Sequence, residues 1–144
     1  PKGVKKGSKL RLRGKGNLHS GTGRRGDLYL NLDIQSHEVW KLDGDQLKAD
    51  LPVSLDELAL GATISVMTPD GEAKLSIPQG TNSGTCLRLK GKGWPKKDGR
   101  GDLIFTVYLD LPNSWSNDEQ RLLEELQRIR NNDPRETWLK LARL

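Results

Sequence analysis

Two histidines, one cysteine and two glycine-flanked arginine motifs hold most of the chemistry this 144-residue sequence could offer. His19 and His37 are too few for a histidine-built zinc site. Cys86, the only cysteine, excludes a disulfide scaffold and a multi-cysteine metal centre, and fits a reducing compartment. Its counterpart in an internal repeat is Lys9, and a position that takes lysine faces solvent, so a thiol nucleophile in a dry pocket is not expected. For His37 and Glu38, at the junction between the copies, a structural hydrogen bond is expected rather than catalysis. Gly21-Thr22-Gly23-Arg24-Arg25-Gly26 matches the dinucleotide pattern G-x-G-x-x-G. That pattern binds a pyrophosphate only between a strand and a helix, and here it runs into an alternating strand pattern. Arg-Gly-Asp occurs at 25–27 and at 100–102, at equivalent positions of the repeat, which marks it as a turn entering a strand rather than an adhesion site. No carboxylate pair, catalytic triad or metal spacing stands out. The expectation is a non-enzyme with no metal and no cofactor.

The elements that would position these residues begin with the repeat. PKGVKKGSKLRLRGKG at 1–16 aligns with PQGTNSGTCLRLKGKG at 78–93 with nine identities, an offset of 77. Arg25-Gly26-Asp27-Leu28 then aligns with Arg100-Gly101-Asp102-Leu103 at an offset of 75. A period this long suits tandem domains rather than a small solenoid. About forty patterned residues precede the second copy and none precedes the first, so the expectation is a sequence that opens inside a domain. The strand neighbour lost there predicts that residues 1–25 are poorly ordered or completed by another molecule.

The pattern within the copies is β. Leu28, Leu30, Leu32 and Ile34 alternate with polar residues, as do Leu103, Phe105, Val107 and Leu109, and Leu47, Ala49, Leu51 and Val53. Ala62–Val66 and Ala73–Ile77 flank Thr68-Pro69-Asp70-Gly71, a hairpin turn in which proline presets φ and glycine accepts a positive one. Ser54-Leu55-Asp56-Glu57 has capping-box spacing and Gly61 is a stop, predicting one short helix. Each copy reads as a small β-sandwich, the first incomplete.

The C-terminus changes character. Ser116-Asn117-Asp118-Glu119 is a second capping box, after which Leu122, Leu123, Leu126 and Ile129 recur at helical spacing. Asn131-Asn132 ends that helix, and Asp133-Pro134 is expected to cap and restart another bearing Trp138, Leu141 and Ala142. An amphipathic helix this short is marginal alone, so its leucine face must dock on its own sandwich or on a second copy.

Charge is uneven. Residues 1–25 carry nine basic side chains and no acidic one, while the remainder holds fifteen basic and nineteen acidic groups. Such a field attracts nucleic acid, acidic peptide or an anionic surface. A nucleic-acid module is therefore the alternative, weakened by the lack of aromatic stacking residues in that segment. No apolar run approaches the ~18 residues of a membrane span, and no membrane partner is expected.

Together the duplicated P-x-G-x-x-x-G…LRL-x-GKG block, the GDL strands, the junction from His37 through Trp40 to Leu47 and the Pro69-Asp70-Gly71 hairpin resemble the C-terminal substrate-binding region of DnaJ-type co-chaperones. The resemblance implies two tandem β-sandwich domains, 1–38 (the end of the first) and 39–112, then a helical dimerisation element at 113–144. It implies a cytoplasmic homodimer that holds unfolded polypeptides for a DnaK-type ATPase chaperone. Neither histidine is followed by the Pro-Asp of the family's J-domain signature. Leu10, Leu12 and Trp40 are the implied client contacts, with ordinary core as the bland reading of all three. Lys5, Lys6, Lys9, Arg11 and Arg13 would meet the acidic tail of the ATPase partner, and Leu122, Leu123, Leu126 and Ile129 would form the dimer contact.

Overall fold

The alternating stretches fold as strands. A computed structural model describes residues 9–18, 21, 23–31 and 35–144; Lys5, Lys6, His19, Leu32, Ile34 and much of the 1–25 segment lie outside them. In chain order the elements are β1 (Lys9–Leu12), β2 (Leu28–Asn31), β3 (Lys41–Asp43), β4 (Gln46–Val53), α1 (Leu55–Leu60), β5 (Ala62–Thr68) and β6 (Gly71–Ile77). They continue with β7 (Cys86–Leu89), β8 (Pro95–Lys96), β9 (Gly99–Arg100), β10 (Leu103–Leu109), α2 (Asn117–Ile129) and α3 (Glu136–Leu141). The chain divides into two compact units, Pro1–Asp110 and Leu111–Leu144.

The core of the first unit follows from period two. β4 and β10 lie parallel at the centre of a four-stranded sheet ordered β3-β4-β10-β7, with antiparallel β3 and β7 at its edges. Leu47, Ala49, Leu103 and Phe105 on its inner face pack with Val66 and Leu75 of the β5–β6 hairpin, which forms the second layer. Val53 and Val107 continue that face and meet Ile77 and Leu58, where α1 closes one end. Each buried Leu, Val, Ile or Phe side chain here contributes roughly 1.5–3 kcal/mol, and Ala49 less. Parallel strands need a long crossover, and α1, the hairpin and β7 supply it. The chain is mainly β and sandwich-like, with α2 and α3 at its C-terminus.

Local signals hold where they were strong. Ser54 and Glu57 form a reciprocal capping box on α1, and Gly61 ends it at φ 79°. Ser116 and Glu119 do the same on α2. Thr68 pairs with Gly71 across the Pro69-Asp70 turn, and its hydroxyl donates to the Gly71 carbonyl at 2.8 Å. Two expectations are corrected. Asp133 does not cap α3: its carboxylate accepts from the Arg135 amide at 2.9 Å, closing a turn, and the helix starts at Glu136 without a side-chain cap. Leu28 is exposed rather than inward, because β2 has only β1 as a sheet partner among the described residues.

The repeat is one structural device used twice. Leu12 faces Leu28 and Arg11 faces Tyr29 across β1–β2, the register in which Leu89 faces Leu103 and Arg88 faces Ile104 across β7–β10. In the first copy the Asp27 carboxylate accepts from Arg11 Nε at 2.6 Å and from the Gly14 amide at 3.1 Å. In the second, Asp102 pairs with Arg88 at 3.3 Å and accepts from the Gly91 amide at 3.0 Å. The Gly16 amide donates to the Gly26 carbonyl at 2.8 Å, as Gly93 does to Gly101 at 2.9 Å. The offset changes from 77 to 75 because the bridge Leu18–Arg25 closes a loop two residues longer than that between Pro95 and Arg100. The Arg-Gly-Asp triplets are thus clasps that tie a strand, its glycine turn and the returning strand.

Glycine is required where the clasp is tightest. A Cβ on buried Gly101 would run into the Asp45 carbonyl, and one on Gly93 into the backbone of Asp102. Gly101→Ala is expected to destabilise the chain by about 2 kcal/mol or more, through displaced backbone; an unchanged midpoint in urea unfolding would contradict this. The Arg11 guanidinium, aided by the Gly14 amide, holds the Asp27 carboxyl below its ordinary value. A carboxyl depressed in the fold stabilises it above the ordinary aspartate value of about 4, and that contribution is lost as pH falls through the folded value. In an NMR titration Asp27 should therefore titrate below about 4, and Arg11→Gln should move its midpoint upward. A midpoint that the substitution leaves in place would contradict the clasp.

Candidate functional site: an apolar cleft beside an edge strand

The segment leading into the second sheet unit is shaped by His37. Its Nδ1 accepts from the Val39 amide at 3.0 Å and, more weakly, from the Trp40 amide at 3.4 Å, which assigns the ring proton to Nε2. This is the structural role expected of His37. The turn delivers Trp40 onto the core, where its ring meets Phe105 at 6.1 Å between centroids and a tilt of 56°. Trp40 is half-buried, one side against the core and the other open.

The open side faces a cleft of about 790 Å³, within the range of ligand sites. Trp40, Leu42 and Leu47 form its apolar floor, with Pro69 of the β5–β6 turn and Trp94 as further walls. Gln35, Ser36, His37, Lys41 and Gly44 complete the lining. Lys41 and Leu42 belong to β3, an edge strand whose one sheet partner among the described residues is β4. The cleft therefore combines apolar surface with the margin of a sheet. Such an arrangement suits an extended chain, which can add main-chain hydrogen bonds at the edge while its side chains enter pockets.

The clasp of the second copy builds the wall that carries Trp94. The Trp94 amide donates to the Asp45 carbonyl at 3.2 Å, and its carbonyl accepts from the Gly101 amide at 3.0 Å. Lys96 pairs with Asp45 at 3.3 Å, and Arg100 pairs with Asp70 at the hairpin tip, so the surrounding loops are tied by charge as well. Trp94 escapes a reading of the sequence by motif. Its position in the first copy is Asn17, whose carbonyl accepts from Gly26 at 3.0 Å in the same way. An aromatic present in one copy of an otherwise matched turn is the signal that could have found it.

The other expected site residues are placed separately. Leu10 and Leu12 are half-buried on β1; they do not line this cleft and belong to neither buried cluster. Lys9 and Arg13 are exposed, while Arg11 serves the clasp and lies over the Tyr29 ring at 5.9 Å. Cys86 is exposed on β7, its Sγ 3.4 Å from the Thr106 hydroxyl. Among the described residues no group of three His, Cys, Asp or Glu side chains could hold a metal, and no helix is long and apolar enough to cross a membrane. In the second unit, Leu122, Leu126 and Ile129 stand on one face of α2 at 70%, 50% and 59% exposure, with Leu123 half-buried beside them. The flanks of that face carry the ion pairs Arg121–Asp118 and Arg128–Glu125.

Known proteins are similar to this sequence. The family described as DnaJ C terminal domain matches residues 1–112. A DnaJ-like protein of Synechocystis sp. is 46% identical over 145 aligned residues, which cover 100% of this chain and 43% of that protein. Chaperone protein DnaJ of Pelagibacter ubique is 42% identical over 91% of the chain, and chaperone protein DnaJ 2 of Mycolicibacterium paratuberculosis is 41% identical over 96%. The chain spans less than half the length of these relatives, 36% for each of the last two. The family match spans most of the chain, both copies of the clasp and the hairpin layer included, and the chain belongs to the DnaJ C-terminal domain family.

Proposed function

We propose that this chain is the client-holding and dimerising region of a cytoplasmic DnaJ-type co-chaperone. Residues 1–38 close a first domain, 39–112 form the second, and 113–144 join two copies. Unfolded polypeptide is held for a DnaK-type ATPase chaperone. The observation that carries the reading is the cleft in which Trp40 and Trp94 sit beside the edge of β3. Clients are extended, apolar and varied, so their capture calls for shallow apolar surface plus main-chain pairing rather than a shaped pocket. Leu10 and Leu12 offer a second apolar strip on the first copy. Lys9 and Arg13, with Lys5 and Lys6, are the basic groups proposed to meet an acidic tail of the ATPase partner. Arg11 has its charge offset by Asp27 and contributes less. Pairs of this kind are individually weak and salt-sensitive, so they work as a cluster.

Dimerisation follows from α2. Leu122, Leu126 and Ile129, with Leu123 beside them, recur at the spacing of a packed helix pair, and burying what each still exposes against a partner gains about 1 kcal/mol or more per side chain. Membership of the chaperone family supports a holding role over a catalytic one.

Two measurements test the reading. In fluorescence anisotropy with a labelled, permanently unfolded protein, Trp94→Ala is expected to weaken binding about tenfold, the loss of one interface anchor. Wild-type affinity in a Trp94→Ala protein with an unchanged melting temperature would contradict the cleft as the client site. In sedimentation, Leu126→Asp should halve the mass of the particle. A monomeric mass in both proteins would reject the dimer.

A further inference from the structure

The charges around the cleft are not symmetric. The β3–β4 hairpin sets Lys41 directly across from Lys48, a like-charged pair on one face of the sheet. Lys48 is neutralised: its Nζ lies 2.8 Å from Asp43 Oδ2, an ion pair that holds the Asp43 carboxyl below its ordinary value. The nearby anions are likewise engaged, Asp45 by Lys96 and Asp70 by Arg100. Lys41 is different. It lines the cleft, is exposed, and has no ion-pair or hydrogen-bond partner among the described residues. Among the described residues no carboxylate lines the cleft, so Lys41 is its one formally charged lining group.

An apolar floor with a single uncompensated cation at its margin selects by charge as well as by size. We infer that the cleft takes extended polypeptide segments in which an apolar side chain is flanked by a carboxylate: the apolar group enters against Trp40 and Trp94, and the carboxylate pairs with Lys41. This rests on the client-binding reading and narrows it to a class of segment. Lys41 gains from such a ligand because Asp43, the carboxylate on its own face of β3, is already taken by Lys48. Segments flanked by lysine or arginine bring a like charge to Lys41 and bind more weakly.

The test compares two fluorescein-labelled peptides of equal length that share a Leu-Phe-Leu centre, one flanked by glutamates and one by lysines. Anisotropy is measured with the full 144-residue chain and with Lys41→Gln and Lys41→Glu; the side chain is exposed on an edge strand, so both variants should keep the wild-type fold. The glutamate-flanked peptide is expected to bind about fivefold to tenfold tighter at low salt, with the preference shrinking as ionic strength rises toward about 0.5 M. Lys41→Gln should abolish the preference and Lys41→Glu should reverse it. Equal affinity of the wild-type chain for both peptides, or a preference untouched in Lys41→Glu, overturns the inference and leaves client binding standing. Binding of neither peptide overturns both.

Discussion

One aspartate holds three strands and a loop in place. The Asp102 side chain takes Arg88 of β7 and the amide of the Gly91 turn, while its backbone carbonyl accepts from Leu47 of β4 at 2.9 Å. The residue before it, Gly101, approaches the Asp45 backbone so closely that no side chain fits, and its amide fixes the Trp94 carbonyl. The parallel pairing of β4 with β10, the closure of the glycine turn and the height of the cleft wall thus share one clasp. Each of its bonds is modest alone. Their value lies in geometry, since a short-stranded sheet with little helix to brace it has few other ways to fix register.

The same clasp appears around Asp27, and the contrast between the copies separates structure from function. Both copies keep the arginine, the aspartate and the close-packed glycines, which is what folding demands. They differ in side chain at Asn17 and Trp94, whose backbone carbonyls accept the same bond in both copies, and at Lys9 and Cys86. The two copies share the clasp, and the wall residue is an aromatic in the second copy alone. Function in this family region accordingly rests on surfaces set upon a common frame.

Much of this was legible in the amino-acid order because the signals are local. Period-two alternation marked β4, β10 and the β5–β6 hairpin, and Leu103 and Val107 are indeed fully buried. The two capping boxes formed as spaced, since each needs only four consecutive residues. The Arg-Gly-Asp triplets were readable as turns, but not as ion-paired clasps, because Arg11 and Asp27 lie sixteen residues apart and meet only after the strands align. Trp94 was invisible for the same reason: its neighbours come from the junction, the β3–β4 turn and the hairpin tip. Asp133-Pro134 misled because a cap and a turn use the same residues, and the Arg135 amide took the carboxylate before a helix could.

The clasp stands beside an open apolar cleft with β3 at its margin, and this is the surface we propose as the client site. Hydrogen–deuterium exchange read by mass spectrometry, with and without a permanently unfolded protein, tests that proposal most directly. Slowed exchange of residues 35–44 and of the loop around Trp94, with the buried strand β10 unchanged, is the expected result. Slowed exchange confined to residues outside 35–94, or none at saturating client, would contradict it.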